Sequence, residues 1–373
     1  MSKAAELANL IGNINAGGGG VNRNVIINGA MNVAQRGTST TGLGANTTAG
    51  TNSTRYKVCD RWAIDVEGTT LGRYTLTQDS SAPSGFANSL KLDCTTADGS
   101  IASGEAMVLN QIIEGQNLQA FAKGTSDAKP FAVSFYVKGN ASATYVCELF
   151  DGDNSRHVAK TFSVTTDWAR VELSFPADTT GAFGDDVNAS LYLQIWLHAG
   201  ATFKDPSGTL PATWASKTNG NRAVGGDSFF SSTDRTFFIT GVQLEVGQNP
   251  TTFEHEPFDV TRRKCFRYFE KIEVTAGSYA HVAYAYTTTG MRSKQTYEKK
   301  RANPTFTFDN QGDVVCFYNG GTDADPTFNY HDAGPNSCRV SIDLTGVSTT
   351  AGYGAAVYVN GSVTYNIKVD AEL

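Results

Sequence analysis

Nothing in the 373 residues is apolar for long enough to cross a bilayer as a helix, which takes about 20 consecutive residues. Membrane insertion is therefore not expected. Cationic excess is missing too: 30 Lys and Arg stand against 36 Asp and Glu, a net charge of −6. A sequence-independent nucleic-acid binder exchanges a cationic field for counterions, so nucleic acid is not an expected partner. The basic runs Arg262-Arg-Lys264 and Lys299-Lys-Arg301 read as solvated surface. Cysteine is sparse, with Cys59, Cys94, Cys147, Cys265, Cys316 and Cys338 and no C-x-x-C pair. That excludes a disulfide scaffold. Cys94 and Cys147 sit in apolar contexts and read as small buried hydrophobes. The spacing leaves open whether Cys316 and Cys338 meet.

Catalytic signatures are also lacking. The five histidines, His157, His198, His255, His281 and His331, form no His-x-x-x-His pair, which argues against zinc and against a Cys/His nucleophile. Each reads as a hydrogen-bonded structural residue. Gly-x-Ser-x-Gly and P-loop patterns are absent, and no motif isolates a carboxylate pair for glycoside cleavage. No enzyme activity is expected. The first residues carry one Lys and no apolar run of the signal-peptide kind, so delivery outside the cell is expected through lysis. No metal or cofactor is expected either. Asp151-Gly-Asp-Asn-Ser155 keeps a structural calcium open, but it lacks the EF-hand glycine and distal glutamate and reads first as a hairpin turn.

What is present favours strands. There are 38 Gly, 21 Phe and 15 Tyr, and only 18% of residues are charged. Aromatic and β-branched side chains fit a pleated surface, and Gly and Asn fit tight turns. Length points to two domains, each able to bury its own core. Period-2 runs start at Trp62, Tyr74, Ser89, Phe131, Thr144, Ala169, Leu191 and Phe237, and about eight to ten such strands make an antiparallel sandwich. Residues 105–121 fit a strand and a short helix. Thr202–Asp227 is an insert expected on the surface. Beyond residue 260, shorter runs at Tyr279, Thr305, Val314, Arg339, Ala355 and Tyr365 predict a smaller sandwich of about six or seven strands; Asp259–Glu270 reads as either helix or strand.

The predicted fold is thus mainly β. Residues 1–20 hold a helix and a Gly17-Gly-Gly-Gly20 hinge. Residues 21–55 are an extended linker, with a short strand at Val25-Ile26-Ile27 and an exposed loop from Thr38 to Thr54. Residues 56–260 form a jelly-roll-like β-sandwich, and residues 261–373 a second, smaller one. In the helix, Ser2 caps and Leu7, Leu10, Ile11 and Ile14 form one stripe. So short a helix is marginal alone, so its stripe must pack on something. An attachment device is expected, with docking on its own domain as the alternative.

Sugar recognition needs flat apolar faces with planar hydrogen-bonders beside them. Alternation along 190–198 sends Leu191, Leu193, Ile195 and Leu197 to one side. Tyr192, Gln194, Trp196 and His198 then share the other. This row is a candidate glycan platform, unless a loop, the linker or a sister subunit covers it. Trp214 is the next candidate. Tyr284 and Tyr286, on one side of a later strand, are the third, or else belong to a core.

Four patterns carry a resemblance. Ile239–Glu254 reads as a half-buried strand, Val242, Leu244 and Val246 alternating with Gln243, Glu245 and Gly247, then a stop at Gly247-Gln-Asn-Pro250. Its Gln-Leu-Glu-x-Gly…Phe-Glu pattern resembles the last strand of carbohydrate-binding-like jelly rolls in tailed-phage fibre proteins. Asn28-Gly-Ala-Met31…Gln35-Arg-Gly37, followed by Asp60-Arg-Trp62, resembles the opening of such domains. The Ser2-Lys-Ala…Leu-Ala-Asn-Leu-Ile11 start resembles those of marine phage structural proteins. Cys265-Phe-Arg-Tyr-Phe-Glu270, Met291-Arg292, Asn303-Pro-Thr305 and Ala371-Glu-Leu373 resemble a C-terminal fibre module. The resemblance implies a virion protein, most simply a homotrimeric tail fibre. It would be anchored to other virion proteins through the N-terminal segment and would bind host-surface polysaccharide without cleaving it. A capsid-anchored head fibre or decoration protein is the alternative. A polysaccharide-degrading tail spike is disfavoured by the missing parallel β-helix repeats, and a carbohydrate module of a secreted bacterial enzyme by the missing signal.

Overall fold

The computed structural model describes residues 2–15, 22–44, 55–68, 71–309, 313–323, 326–360 and 364–373. The Gly17–Gly20 hinge, residues 45–54 of the expected loop and the Ile14 side chain lie outside the described residues. The chain divides into one unit of residues 1–262 with Leu373, and a second of residues 263–372.

Helix α1 (Lys3–Asn15) opens the first unit. The Ser2 hydroxyl accepts from the Ala5 N–H at 3.3 Å, a cap for one orphan donor. Its strands are β1 (Ser39–Leu43), β2 (Ala63–Glu67), β3 (Arg73–Asp79), β4 (Ser89–Thr96), β5 (Ala106–Glu114) and β6 (Phe131–Gly139). They continue as β7 (Ala143–Asp151), β8 (Arg156–Val164), β9 (Ala169–Phe175), β10 (Ala189–Ala199), β11 (Ala215–Ser216) and β12 (Thr236–Val246). Two six-stranded antiparallel sheets result, in the orders β1-β3-β4-β12-β6-β9 and β11-β8-β7-β10-β5-β2. Leu191, Leu193, Ile195 and Leu197 of β10 join Val133, Phe135 and Leu244 in one core. The inward alternation predicted for β10 is therefore the sandwich interior.

Residues 105–121 are a strand and short helical turns, as expected: β5 runs to Glu114, and two 3₁₀ turns follow. Three other local readings are corrected. Strand β8 escaped the sequence reading because Lys160 stands in its inward row between Val158 and Phe162; the ammonium lies over the Phe175 ring at 5.7 Å. Ser39–Leu43 is a strand and not a loop, since its backbone pairs with β3 without needing large side chains. Val25–Ile27 forms no strand, and Ile27 opens a turn. The Ile27 N–H donates to the Gln111 side chain at 2.7 Å and the Ile27 carbonyl accepts from it at 2.9 Å. A side-chain amide replaces the neighbouring strand there.

Asp259–Glu270 resolves into both of its alternatives. Helix α2 (Phe258–Phe266) spans residues 262 and 263, where the second unit begins, and β13 (Phe269–Val274) follows. The remaining strands are β14 (Tyr279–Ala285), β15 (Gly290–Thr296), β16 (Thr305–Asp309), β17 (Val314–Tyr318) and β18 (Gly321–Asp323). Then come β19 (Thr327–His331), β20 (Ser337–Asp343), β21 (Gly354–Val359) and β22 (Tyr365–Asp370). They form a three-stranded sheet, β13-β22-β16, and a seven-stranded one, β18-β17-β21-β14-β15-β20-β19. Val340, Ile342, Val357, Ile367 and Val369 fill the space between. The expected six or seven strands become ten among the described residues. β15 was missed because Met291 alone of its side chains is buried.

Candidate functional site

The outward row of β10 is not an open platform. Gln194, Trp196 and His198 are buried, and Tyr192 is half-buried. The 202–227 excursion covers Gln194 and Trp196, while His198 packs against Ser228 and Phe230 and Tyr192 against Phe150. Phe203 packs on Trp196 with ring centroids 5.3 Å apart, and the Arg222 guanidinium lies 4.7 Å from the Trp196 centroid. The cover is fastened by backbone bonds: Ala159 N–H to Pro211 O at 3.1 Å and Lys217 N–H to Ser155 O at 2.8 Å. Trp214 belongs to the sandwich core and donates its indole N–H to Pro176 O at 2.9 Å. These candidates failed because alternation reports which side a residue takes, never what lies above it.

Under the cover a carboxylate organises the row. Glu148 accepts from Trp196 Nε1 at 2.7 Å and from Arg222 Nη2 at 2.9 Å, with His157 Nδ1 at 2.7 Å. Arg222 also reaches Gln194 Oε1 at 2.6 Å, and Gln194 donates to Asn110 at 2.6 Å. Burial alone would raise the Glu148 pKa; Arg222 and His157 outweigh it and hold it below the ordinary value. At the far end His198 Nδ1 lies 2.8 Å from the Ser228 hydroxyl, and Nε2 3.5 Å from Glu105. Burial lowers the His198 pKa to about 4, with Asp98 opposing. Burial, with Asp98 adding to it, raises that of Glu105. The Ser228 hydroxyl also accepts from the Phe230 N–H at 3.1 Å, capping a 3₁₀ turn. The serine and histidine thus share a structural hydrogen-bond system.

The Asp151–Ser155 turn offers its oxygens to an internal cation. Lys123 Nζ, fully buried, lies 2.6 Å from Asp151 Oδ2 and 3.1 Å from Asp178 Oδ2. It donates to Thr180 O at 2.9 Å and to Gly181 O at 2.7 Å. An ammonium fills an oxygen cage of the composition calcium takes. Among the described residues no group of three or more His, Cys, Asp or Glu side chains is placed to hold a metal.

The motif residues turn out to be framework. The Gln243–Glu245 segment is buried on both faces, where a half-buried strand was expected. Gly241, at φ +61°, marks an irregularity in the β12 ladder. Before it β12 pairs with β4; after it the 24–29 segment lies alongside, Val242 N–H bonding Gly29 O and Val25 N–H bonding Leu244 O, each at 3.0 Å. A Cβ on Gly29 would stand 2.1 Å from Val242 O, so only glycine fits. Glu254 accepts from Asn22 and Asn24 N–H at 2.7 and 2.9 Å. Asn28 bonds Val33 and Asp60 through its side chain, and its carbonyl accepts from the Trp62 indole at 3.1 Å.

Open recognition chemistry lies on the second unit. Tyr284 and Tyr286 are 51% and 53% exposed, and Val282 is 81% exposed. Ala283 and Ala285 face inward. Tyr284 stands opposite Arg292 of β15, whose guanidinium lies 3.4 Å from the Tyr286 ring centroid. On its other side Tyr284 faces Gly354 of β21, which has no side chain to cover the ring. Lys294 pairs with Arg339 of β20. Val282, Tyr284, Arg292, Lys294, Asp332 and Arg339 line a groove of about 510 Å³, inside the roughly 300–1,000 Å³ usual for ligand sites. The cations were legible as Met291-Arg-Ser-Lys294; their meeting with Tyr284 and Arg339 needed the strand pairing.

Cys316 and Cys338 are free and buried; Cys316 Sγ contacts Met291 Sδ at 3.4 Å. In α1, Leu7 is 57% and Ile11 49% exposed, and Leu10 is half-buried. No described helix is long and apolar enough to cross a membrane.

No family model and no curated protein matches the chain. Among solved structures it is similar to the enzymatically active domain of bacteriophage CBA120 tailspike protein 4, at 13% identity and a TM-score of 0.29. That match covers 60% of this chain and 21% of the tailspike chain. A family 30 carbohydrate-binding module is 12% identical over 63% of this chain and 91% of its own, with a TM-score of 0.29. The family 11 module of a Clostridium thermocellum cellulosomal cellulase is 10% identical over 58% and 98%, with a TM-score of 0.26. Likeness at this level assigns neither function nor ligand.

Proposed function

We propose that this chain is a non-enzymatic virion protein, a tailed-phage tail fibre that holds the particle to host-surface glycans. The observation that carries the glycan half is the outward pair Tyr284 and Tyr286 beside Arg292, with an uncovered ring face opposite Gly354. A tyrosine face takes the C–H side of a pyranose, and a guanidinium reaches its hydroxyls. The phage half is supported by the patterns at Asn28–Gly37, Asp60–Trp62 and Gln243–Glu254. Helix α1 leaves Leu7 and Ile11 exposed, as a docking peg requires. Weak single sites gain avidity in a homotrimer through high effective concentration.

Purified protein incubated with host polysaccharide tests the reading. Retention by the glycan is expected without new reducing ends, and Tyr284→Ala with Tyr286→Ala should abolish retention while melting is unchanged. Released reducing ends would overturn the non-enzymatic part. Gold-labelled antibody against residues 263–373 should decorate tails on intact particles; decorated capsids would move the protein to the head.

A further inference from the structure

Resting on the glycan-binding reading of the same face, we propose that the ligand is an acidic polysaccharide, recognised through its carboxylates. Three cations line one edge of the tyrosine groove. Arg292 and Lys294 are two residues apart on β15 and lie on one face, roughly 7 Å apart along the strand. Arg339 pairs directly with Lys294, which sets their Cβ atoms about 5 Å apart.

Their acidic neighbours are few. Asp332 reaches Arg339 at 3.1 Å, and Asp343, further along β20, is engaged by Asn329 at 3.1 Å. Among the described residues neither Arg292 nor Lys294 makes an ion pair. A cationic rim in a chain of net charge −6 selects an anion locally. The spacing of the cations suits a chain that repeats a carboxylate, while Tyr284 supplies a stacking face for the sugar between charges. A second copy of this chain is a poorer occupant, because a symmetric contact would set these cations against themselves.

The test compares the full chain binding polyuronate, neutral dextran and a single-stranded oligonucleotide, at about 0.05 and 0.5 M NaCl. Polyuronate should bind at least tenfold more tightly than dextran, and high salt should erase that advantage. Lys294→Gln and Arg292→Gln should each weaken polyuronate about tenfold and leave melting unchanged. Arg292→Lys, which keeps charge but loses the planar stack on Tyr286, should restore part of the loss. Equal binding of dextran and polyuronate, still lost in Tyr284→Ala, would overturn the acidic ligand and leave the glycan reading standing. No binding of either polysaccharide would remove both. Oligonucleotide binding as tight as polyuronate, or self-association abolished by Lys294→Gln, would equally overturn the proposal.

Discussion

Thr251 grips Glu245 twice: its N–H donates to Oε1 at 2.7 Å and its hydroxyl to Oε2 at 2.9 Å. Arg23 approaches the same carboxylate at 3.4 Å and donates to the Thr251 hydroxyl at 2.8 Å. The glutamate of the Gln-Leu-Glu pattern therefore ties the first strap of the sandwich to its last strand. Glu245→Ala strips the buried Thr251 N–H and hydroxyl of this acceptor. It should destabilise the first unit by about 3 kcal/mol. Urea denaturation reads this; an unmoved midpoint would show the clamp to be dispensable.

Lys123 bridges Asp151 and Asp178 at 2.6 and 3.1 Å. Arg156 also pairs with Asp178, at 2.8 Å, so Lys123→Ala leaves the buried Asp151 without its cation and should cost about 3–5 kcal/mol. The two carboxylates and the carbonyls of Thr180 and Gly181 form an oxygen set suited to calcium. Millimolar calcium should therefore raise the melting temperature of the variant and not of the parent. Equal melting of the variant with calcium and with chelator would reject the cage as a cation site.

His198 and His281 are both held near a pKa of about 4 by burial, below the ordinary 6.5. Each is neutral when folded and takes a proton when unfolded, so stability is full above pH 6.5. It falls as pH drops from 6.5 towards 4, by about 3 kcal/mol for each histidine at the acid end. His281→Phe should flatten that part of the profile for the second unit. An unchanged slope would assign the acid loss to other groups.

Arg222 pins the excursion over Trp196. With Arg222→Ala, Glu148 keeps only the His157 and Trp196 bonds, and its pKa should rise. The 202–227 segment should become cleavable by trypsin, and Trp196 emission should shift to the red. A segment that stays resistant would mean that Phe203 and the backbone bonds suffice to hold it.

Local regularity was legible where one face is buried and the other is wet. Leu191, Leu193, Ile195 and Leu197 announced the core side of β10, and Tyr284 and Tyr286 announced a shared side of β14 and the residue that follows it. The reading broke where polar side chains are buried. Gln243 and Glu245 look solvent-facing by alternation, yet both are fully enclosed because Thr251 and Arg23 come back over them. Lys160 hid β8 in the same way, and Lys123 gave no local sign that it would meet two aspartates.

Two groups of aromatic residues therefore parted company. In sequence the Tyr192–His198 row and the Tyr284–Tyr286 pair look alike, each with rings on alternate residues of one side. Spacing along a strand determined which residues share a side, and composition determined that strands would dominate. Only the folded chain decided that Phe203 and Arg222 roof the first row, while Gly354 leaves the second bare. The physical reason is that side-chain direction is set by the backbone over a few residues, whereas cover comes from segments distant in the chain.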